Sequence, residues 1–162
     1  MGLKHALLVL AAPALLLTAC GEDTGVENGT TEVGVTHGTF EDGNYELVET
    51  NYDDNGWRAE FTIDVEDGEI VSSNYNEYNE QGTAKTEDES YQEAMAEQTG
   101  IGPQEYMDDL NGQLVETQDA GQIDTVSGAT SSSEKFQEYA AMLLNAAENG
   151  ETDTIEVDNE VD

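Results

Sequence analysis

The residues with the clearest chemical potential lie in Asp124-Thr125-Val126-Ser127-Gly128-Ala129-Thr130-Ser131. Thr130 offers a hydroxyl that can be esterified. Ser131-x-x-Glu134 has the spacing of a capping box, which makes Ser131 the expected N-cap of a helix. Thr130 would then stand just before a helix N-terminus, where unpaired N–H groups and the positive end of the helix dipole favour an anion. A phosphate-bearing ligand suits such a helix end. Gly128 and Ala129 make a tight turn of little bulk, open to close approach by a phosphate. Asp124 and Ser127 are expected to hold that turn through side-chain to backbone hydrogen bonds. The plain alternative is an ordinary hydroxyl-rich loop leading into a helix.

The elements that must position this turn follow from periodicity. Tyr45 to Tyr52 reads as a strand, and Asp54-Asn55-Gly56 as a hairpin signal. Trp57 to Val65 alternates, with Trp57, Ala59, Phe61, Ile63 and Val65 on one face and Arg58, Glu60, Thr62 and Asp64 on the other. Asp67-Gly68 turns the chain, and Glu69 to Tyr75 runs back as a third strand. Residues 76–89 read as a loop. Ser90-x-x-Glu93 is expected to cap a short helix to about Gln98, which Gly100-Ile101-Gly102-Pro103 breaks. Pro103 suits the first position of a second helix carrying Tyr106, Met107, Leu110, Leu114 and Val115. Ile123 to Val126 is a candidate short strand. The last helix has Phe136, Tyr139, Ala140, Leu143, Leu144 and Ala147 on one stripe, expected to be core. The fold class is α+β: a small antiparallel sheet of three or more strands packed against three helices.

The N-terminal stretch has a different character. Residues 1–19 read as a signal peptide, with Lys4 and His5 before an apolar run, Ala6 to Leu17, too short to span a bilayer. Leu17-Thr18-Ala19-Cys20 has the form of a lipobox. Cleavage before Cys20 would leave that residue to carry a diacylglyceryl thioether, with acyl chains such as palmitate anchoring it in the bilayer. The expected location is the cell membrane, lipid-anchored, on its extracytoplasmic face. Residues 20–37 are polar and Gly-rich, a flexible tether ending at His37, which has no assigned role. The domain is expected over 38–148, with a disordered acidic tail over 149–162.

With 37 Asp+Glu against 4 Lys+Arg, the formal charge is −33. That excludes nucleic acid as a partner, because so few cations cannot neutralise phosphates. The acids are spread along the chain. This favours a surface adapted to high salt over a dedicated cation-binding face. Cys20 is the single cysteine, so the chain supports neither an internal disulfide nor a Cys/His metal site. No residue is an obvious catalytic acid or base.

Asp124-x-x-Ser127-Gly128-Ala129-Thr130, the Gly100-Ile101-Gly102-Pro103 break and the amphipathic last helix together resemble the FMN-binding domain family. The resemblance runs from about Gly38 to Glu148. It implies that a flavin transferase reads Asp124, Ser127, Gly128 and Ala129. Using FAD and a divalent metal, the transferase would release AMP and leave FMN esterified to Thr130. In layout the chain is similar to Gram-positive lipoproteins that carry flavin for extracellular electron transfer, also discussed as pheromone lipoproteins. The resemblance thus implies an electron shuttle rather than a substrate-converting enzyme. Its donor would be a membrane protein such as a quinol-linked dehydrogenase, and its acceptor external. Trp57, Tyr75 and Tyr78 could stack on the flavin ring, although such aromatics are more often core. The rival readings are a non-redox acidic lipoprotein that binds cations or a solute, and a flavin-based redox sensor.

Overall fold

The structure is a computed structural model that describes residues 39–160. The signal segment, Cys20, the tether and His37 lie outside the described residues. Three antiparallel strands, β1 (Gly43–Glu49), β2 (Arg58–Glu66) and β3 (Glu69–Tyr78), form a meander. Three helices follow: α1 (Glu89–Thr99), α2 (Pro103–Thr117) and α3 (Thr130–Asn149). A short strand β4 (Ile155–Val157) closes the order β3-β2-β1-β4, lying parallel to β1. The expected α+β class and the three helices are therefore present.

The alternation read from the sequence sets the sheet's inward face. Ala59, Phe61, Ile63 and Val65 of β2 are buried. Phe61 stands opposite Leu47 on β1 and Tyr75 on β3. The β2–β3 hairpin turns through Asp67 and Gly68, at φ 54° and 79°. Two consecutive positive values suit the right-handed twist of a tight hairpin. The helices cover this face. Leu110 and Leu114 of α2 and Phe136, Ala140 and Leu143 of α3 are buried against it, with the rings of Phe61 and Phe136 4.8 Å apart.

Several boundaries differ from expectation. β1 stops at Glu49 because the chain then follows the C-terminal segment: Thr50 N–H donates to Val157 O, and Asn51 and Asn159 exchange two hydrogen bonds. The stretch expected to be a disordered tail thus supplies a fourth strand, and Ile155 and Val157 pack against the core. β3 runs three residues beyond Tyr75. The expected 76–89 loop reduces to a tight turn organised by Asn79, whose Oδ1 accepts from the N–H groups of Gln81 and Thr83, and a 3-10 turn at Lys85–Glu87. The N-cap of α1 is Asp88, not Ser90. The Asp88 carboxylate accepts from Tyr91 N–H and from the Ser90 hydroxyl, because a carboxylate two residues earlier outcompetes the serine for the orphan donors. Ile123–Val126 is not a strand; its backbone is pinned by the side chains of Gln113, Gln137 and Ser133.

Candidate functional site

The expected site residues come together at the entry to α3. Val126 O accepts from Ala129 N–H at 3.0 Å, closing a turn with Ser127 and Gly128 at its centre. Gly128 has φ +85°, and a Cβ there would lie 2.7 Å from Thr99 O and 3.0 Å from Ile101 Cγ2. Glycine is thus required twice, by conformation and by the close approach of the α1–α2 break. The Gly-Ile-Gly-Pro segment and the turn pack as one unit.

The helix starts two residues earlier than its apparent capping box implies. Ala129 is the N-cap and Thr130 the first helical residue, and no side chain caps the end. Ser131 and Glu134 do not form the expected box. Ser133, fully buried, does the fastening instead: its hydroxyl accepts from Val126 N–H at 3.0 Å and donates to Ala129 O at 2.9 Å. A serine inside the first turn has tied down the preceding turn, leaving the N–H groups of Thr130, Ser131 and Ser132 without an intrahelical acceptor.

Asp124 and Ser127 do not hold the turn with their side chains, which are exposed and make no hydrogen bond among the described residues. Two glutamines do that work. Gln113 Oε1 accepts from Asp124 N–H at 2.6 Å, and Gln137 Nε2 donates to Ile123 O at 2.7 Å. Gln113, Gln137 and Ser133 carried no sequence signal, because their partners are backbone groups of a loop that only the fold brings near. Thr130 is exposed and borders a shallow concavity of about 340 Å³ with Met95, Gly128, Ala129, Ser131 and Ser132.

Behind this turn lies a buried ionic network that the sequence reading missed. Glu49 of β1 and Glu77 of β3 flank Ala59 on the inward face: Ala59 pairs with Glu77 in register, and its N–H donates to Glu49 Oε2 at 2.7 Å. Lys135 of α3 spans the two, 3.0 Å from Glu49 and 3.5 Å from Glu77. Glu77 also pairs with buried Lys85 and accepts from the Tyr75 hydroxyl, and Glu49 accepts from the Tyr139 hydroxyl at 2.6 Å. Burial pulls both lysines' pKa values down, but Glu77, joined at Lys135 by Glu49, pushes them back above the ordinary value. Burial, reinforced by the same glutamates, raises Tyr75 and Tyr139. The available signal was a glutamate at an inward position of β1 and of β3.

The network extends toward Tyr106 of α2, whose pKa is raised by burial and held back by Lys85 and by Ser132. On its other side it opens into a cleft of about 840 Å³ bordered by Glu49, Tyr52, Asp53, Lys135 and Tyr139. Of the aromatics expected as stacking partners, Tyr75 is core, edge-on to Phe61 and Phe136. Trp57 is buried against Tyr91, with Lys85 Nζ 5.4 Å from its ring centre. Tyr78 is partly buried at the end of β3.

An exposed threonine hydroxyl at a helix end with unspent N–H donors fits the phosphate end of a nucleotide. With its glycine-tight turn against the α1–α2 break, this arrangement is that of an α+β domain with an anion-binding helix end. The chain matches the FMN-binding domain model over residues 56–145 and belongs to that family. It is 31% identical over 113 residues to the 15 kDa lipoprotein of Treponema pallidum (strain Nichols), covering 70% of this chain and 80% of that protein. It is also similar to the crystal structure of the CPE2226 protein from Clostridium perfringens. There the TM-score is 0.71 at 42% identity, covering 75% of this chain and 99% of that one.

Proposed function

We propose that this protein carries FMN as a phosphoester on Thr130 and shuttles electrons from a membrane donor to an external acceptor. In this reading it is held on the extracytoplasmic face of the cell membrane by lipidated Cys20. The observation that carries the reading is Thr130 itself: an exposed hydroxyl, in the family's attachment pattern, on the uncapped N-terminus of α3. The helix end favours the phosphodiester charge through its dipole and its free N–H groups. Bound flavin supplies one- and two-electron chemistry, and the protein supplies position and electrostatics.

Attachment requires a flavin transferase with FAD and a divalent metal. Thr130 Oγ1 forms the new P–O bond to the FMN phosphorus, the pyrophosphate P–O bond breaks, AMP leaves, and the hydroxyl proton passes to solvent. The exposed, unbonded side chains of Asp124 and Ser127 are what such an enzyme can grip. The membrane tether is supported by the Leu17-Thr18-Ala19-Cys20 pattern and by the lipoprotein among the relatives.

Intact mass and peptide mapping of the exported protein test the reading. The expected result is an added FMN less one water on the peptide containing Thr130, with a flavin absorption band. An unmodified Thr130 in a host that possesses the transferase would turn the assignment to a non-redox acidic lipoprotein. A Thr130→Ala strain should lose electron flux; loss of signalling with normal flux would make the protein a sensor.

A further inference from the structure

We propose that Lys135 sets the reduction potential of the flavin by placing a positive charge in the interior behind the helix that carries it. The inference rests on Thr130 being the flavin anchor. The described residues hold three basic side chains, Arg58, Lys85 and Lys135. Alternation turns Arg58 to the outer face of the sheet, where it pairs with Glu60. Lys85 is buried and matched by Glu77. Lys135 lies five residues after Thr130, about 7.5 Å of helix rise and roughly 140° around the axis, so its charge acts through the interior and not across a shared helix face. Its side chain is 29% exposed and borders the cleft that opens beside α3. It is locked on one side by Glu49 and Glu77 and open on the other.

The balance of this cluster decides the effect. Glu49, Glu77, Lys85 and Lys135 sum to zero charge. The many surface carboxylates act on the flavin through water and are screened over about 8–10 Å at ordinary salt. The interior cluster is screened much less. Removing Lys135 leaves one uncompensated negative charge in the interior behind α3, which opposes the addition of electrons and lowers the potential. Neither glutamate is then stranded. Glu49 keeps Ala59 N–H and the Tyr139 hydroxyl, and Glu77 keeps Lys85 and the Tyr75 hydroxyl.

The test is a spectroelectrochemical titration of the full-length flavinylated protein and four variants, each checked by mass for flavin on Thr130. Lys135→Met should shift the reduction equilibrium about tenfold toward oxidised flavin, about 30 mV for a two-electron couple. Lys135→Arg should stay near the wild type. Glu49→Gln alone should shift the potential upward, which preserves the test if Lys135→Met does not fold. Lys135→Met/Glu49→Gln restores the charge sum and should return most of the way; a role in packing alone would leave it as displaced as the single variant. Flavin on Thr130 with potentials indifferent to these charges overturns this inference and leaves the anchor standing. Wild-type protein without flavin on Thr130 overturns both.

Discussion

At Gly128 a methyl group would meet the Thr99 carbonyl oxygen on a backbone already in the left-handed region. Gly128→Ala should therefore destabilise the domain by about 1–3 kcal/mol, read from a denaturant midpoint, and lower flavin incorporation by displacing Thr130. Ser133→Ala should cost about 1–3 kcal/mol, since it leaves Val126 N–H without its acceptor in a buried turn. Thr130 behaves in the opposite way. Its side chain is exposed and forms no hydrogen bond among the described residues, so Thr130→Ala should stay within about 0.5 kcal/mol of the wild type. The same variant should lose all covalent flavin by mass. That separation, function without stability at Thr130 and stability without chemistry at Ser133, identifies which residue of the turn is the site and which is its mount.

Among the elements, the meander and the three helices were legible because burial writes itself into period 2 and period 3.6. Trp57 to Val65 and the Phe136 to Ala147 stripe are cases where one face alone is apolar. The tight turn at Ser127-Gly128 was legible as well. The cap was not, because Ser131-x-x-Glu134 and Ser133 offer equivalent hydroxyls, and only the path of the preceding turn decides which one is used. The C-terminal strand was hidden by length: three residues of alternating Ile155-Glu156-Val157 carry too little period to stand out from an acidic tail. The glutamates of β1 and β3 occupy core positions of otherwise apolar rows, and their partners come from α3 and the 3-10 turn far along the chain. Their coupling has a consequence for pH. Tyr75, Tyr139, Lys85 and Lys135 all have folded pKa values above their ordinary ones, near 10. The folded state thus holds these protons more tightly than the unfolded chain does. The stability they contribute is full below about pH 10 and is lost as pH rises through the folded values. Unfolding free energy measured from pH 7 to 11 should fall above about pH 10. Tyr139→Phe should be less stable at pH 7 by about 1.5–3 kcal/mol, losing a bond to a charged acceptor, and should show a shallower alkaline fall.

For the whole molecule, charge is the governing fact. The formal charge is −33, and each of the three basic side chains among the described residues already has a carboxylate partner. The Lys85 partnership is buried and that of Lys135 is made to a buried carboxylate, so the positive charge of this domain is spent largely toward its interior. The remaining surface carboxylates repel one another through water, over a Debye length of about 10 Å at 0.1 M salt and about 3 Å at 1 M. Raising salt removes that repulsion while leaving the buried Glu49–Lys135–Glu77–Lys85 network largely unscreened. The thermal midpoint of the domain should therefore climb from low ionic strength to about 1 M sodium chloride, instead of falling as it would for a fold held by surface ion pairs. A neutral osmolyte at matched osmolality should reproduce little of that climb, which separates screening from solute exclusion. A midpoint that is flat or highest at low salt would mean that the surface acids are neutralised by bound cations or by a cationic partner, and the charge would then belong to an interface.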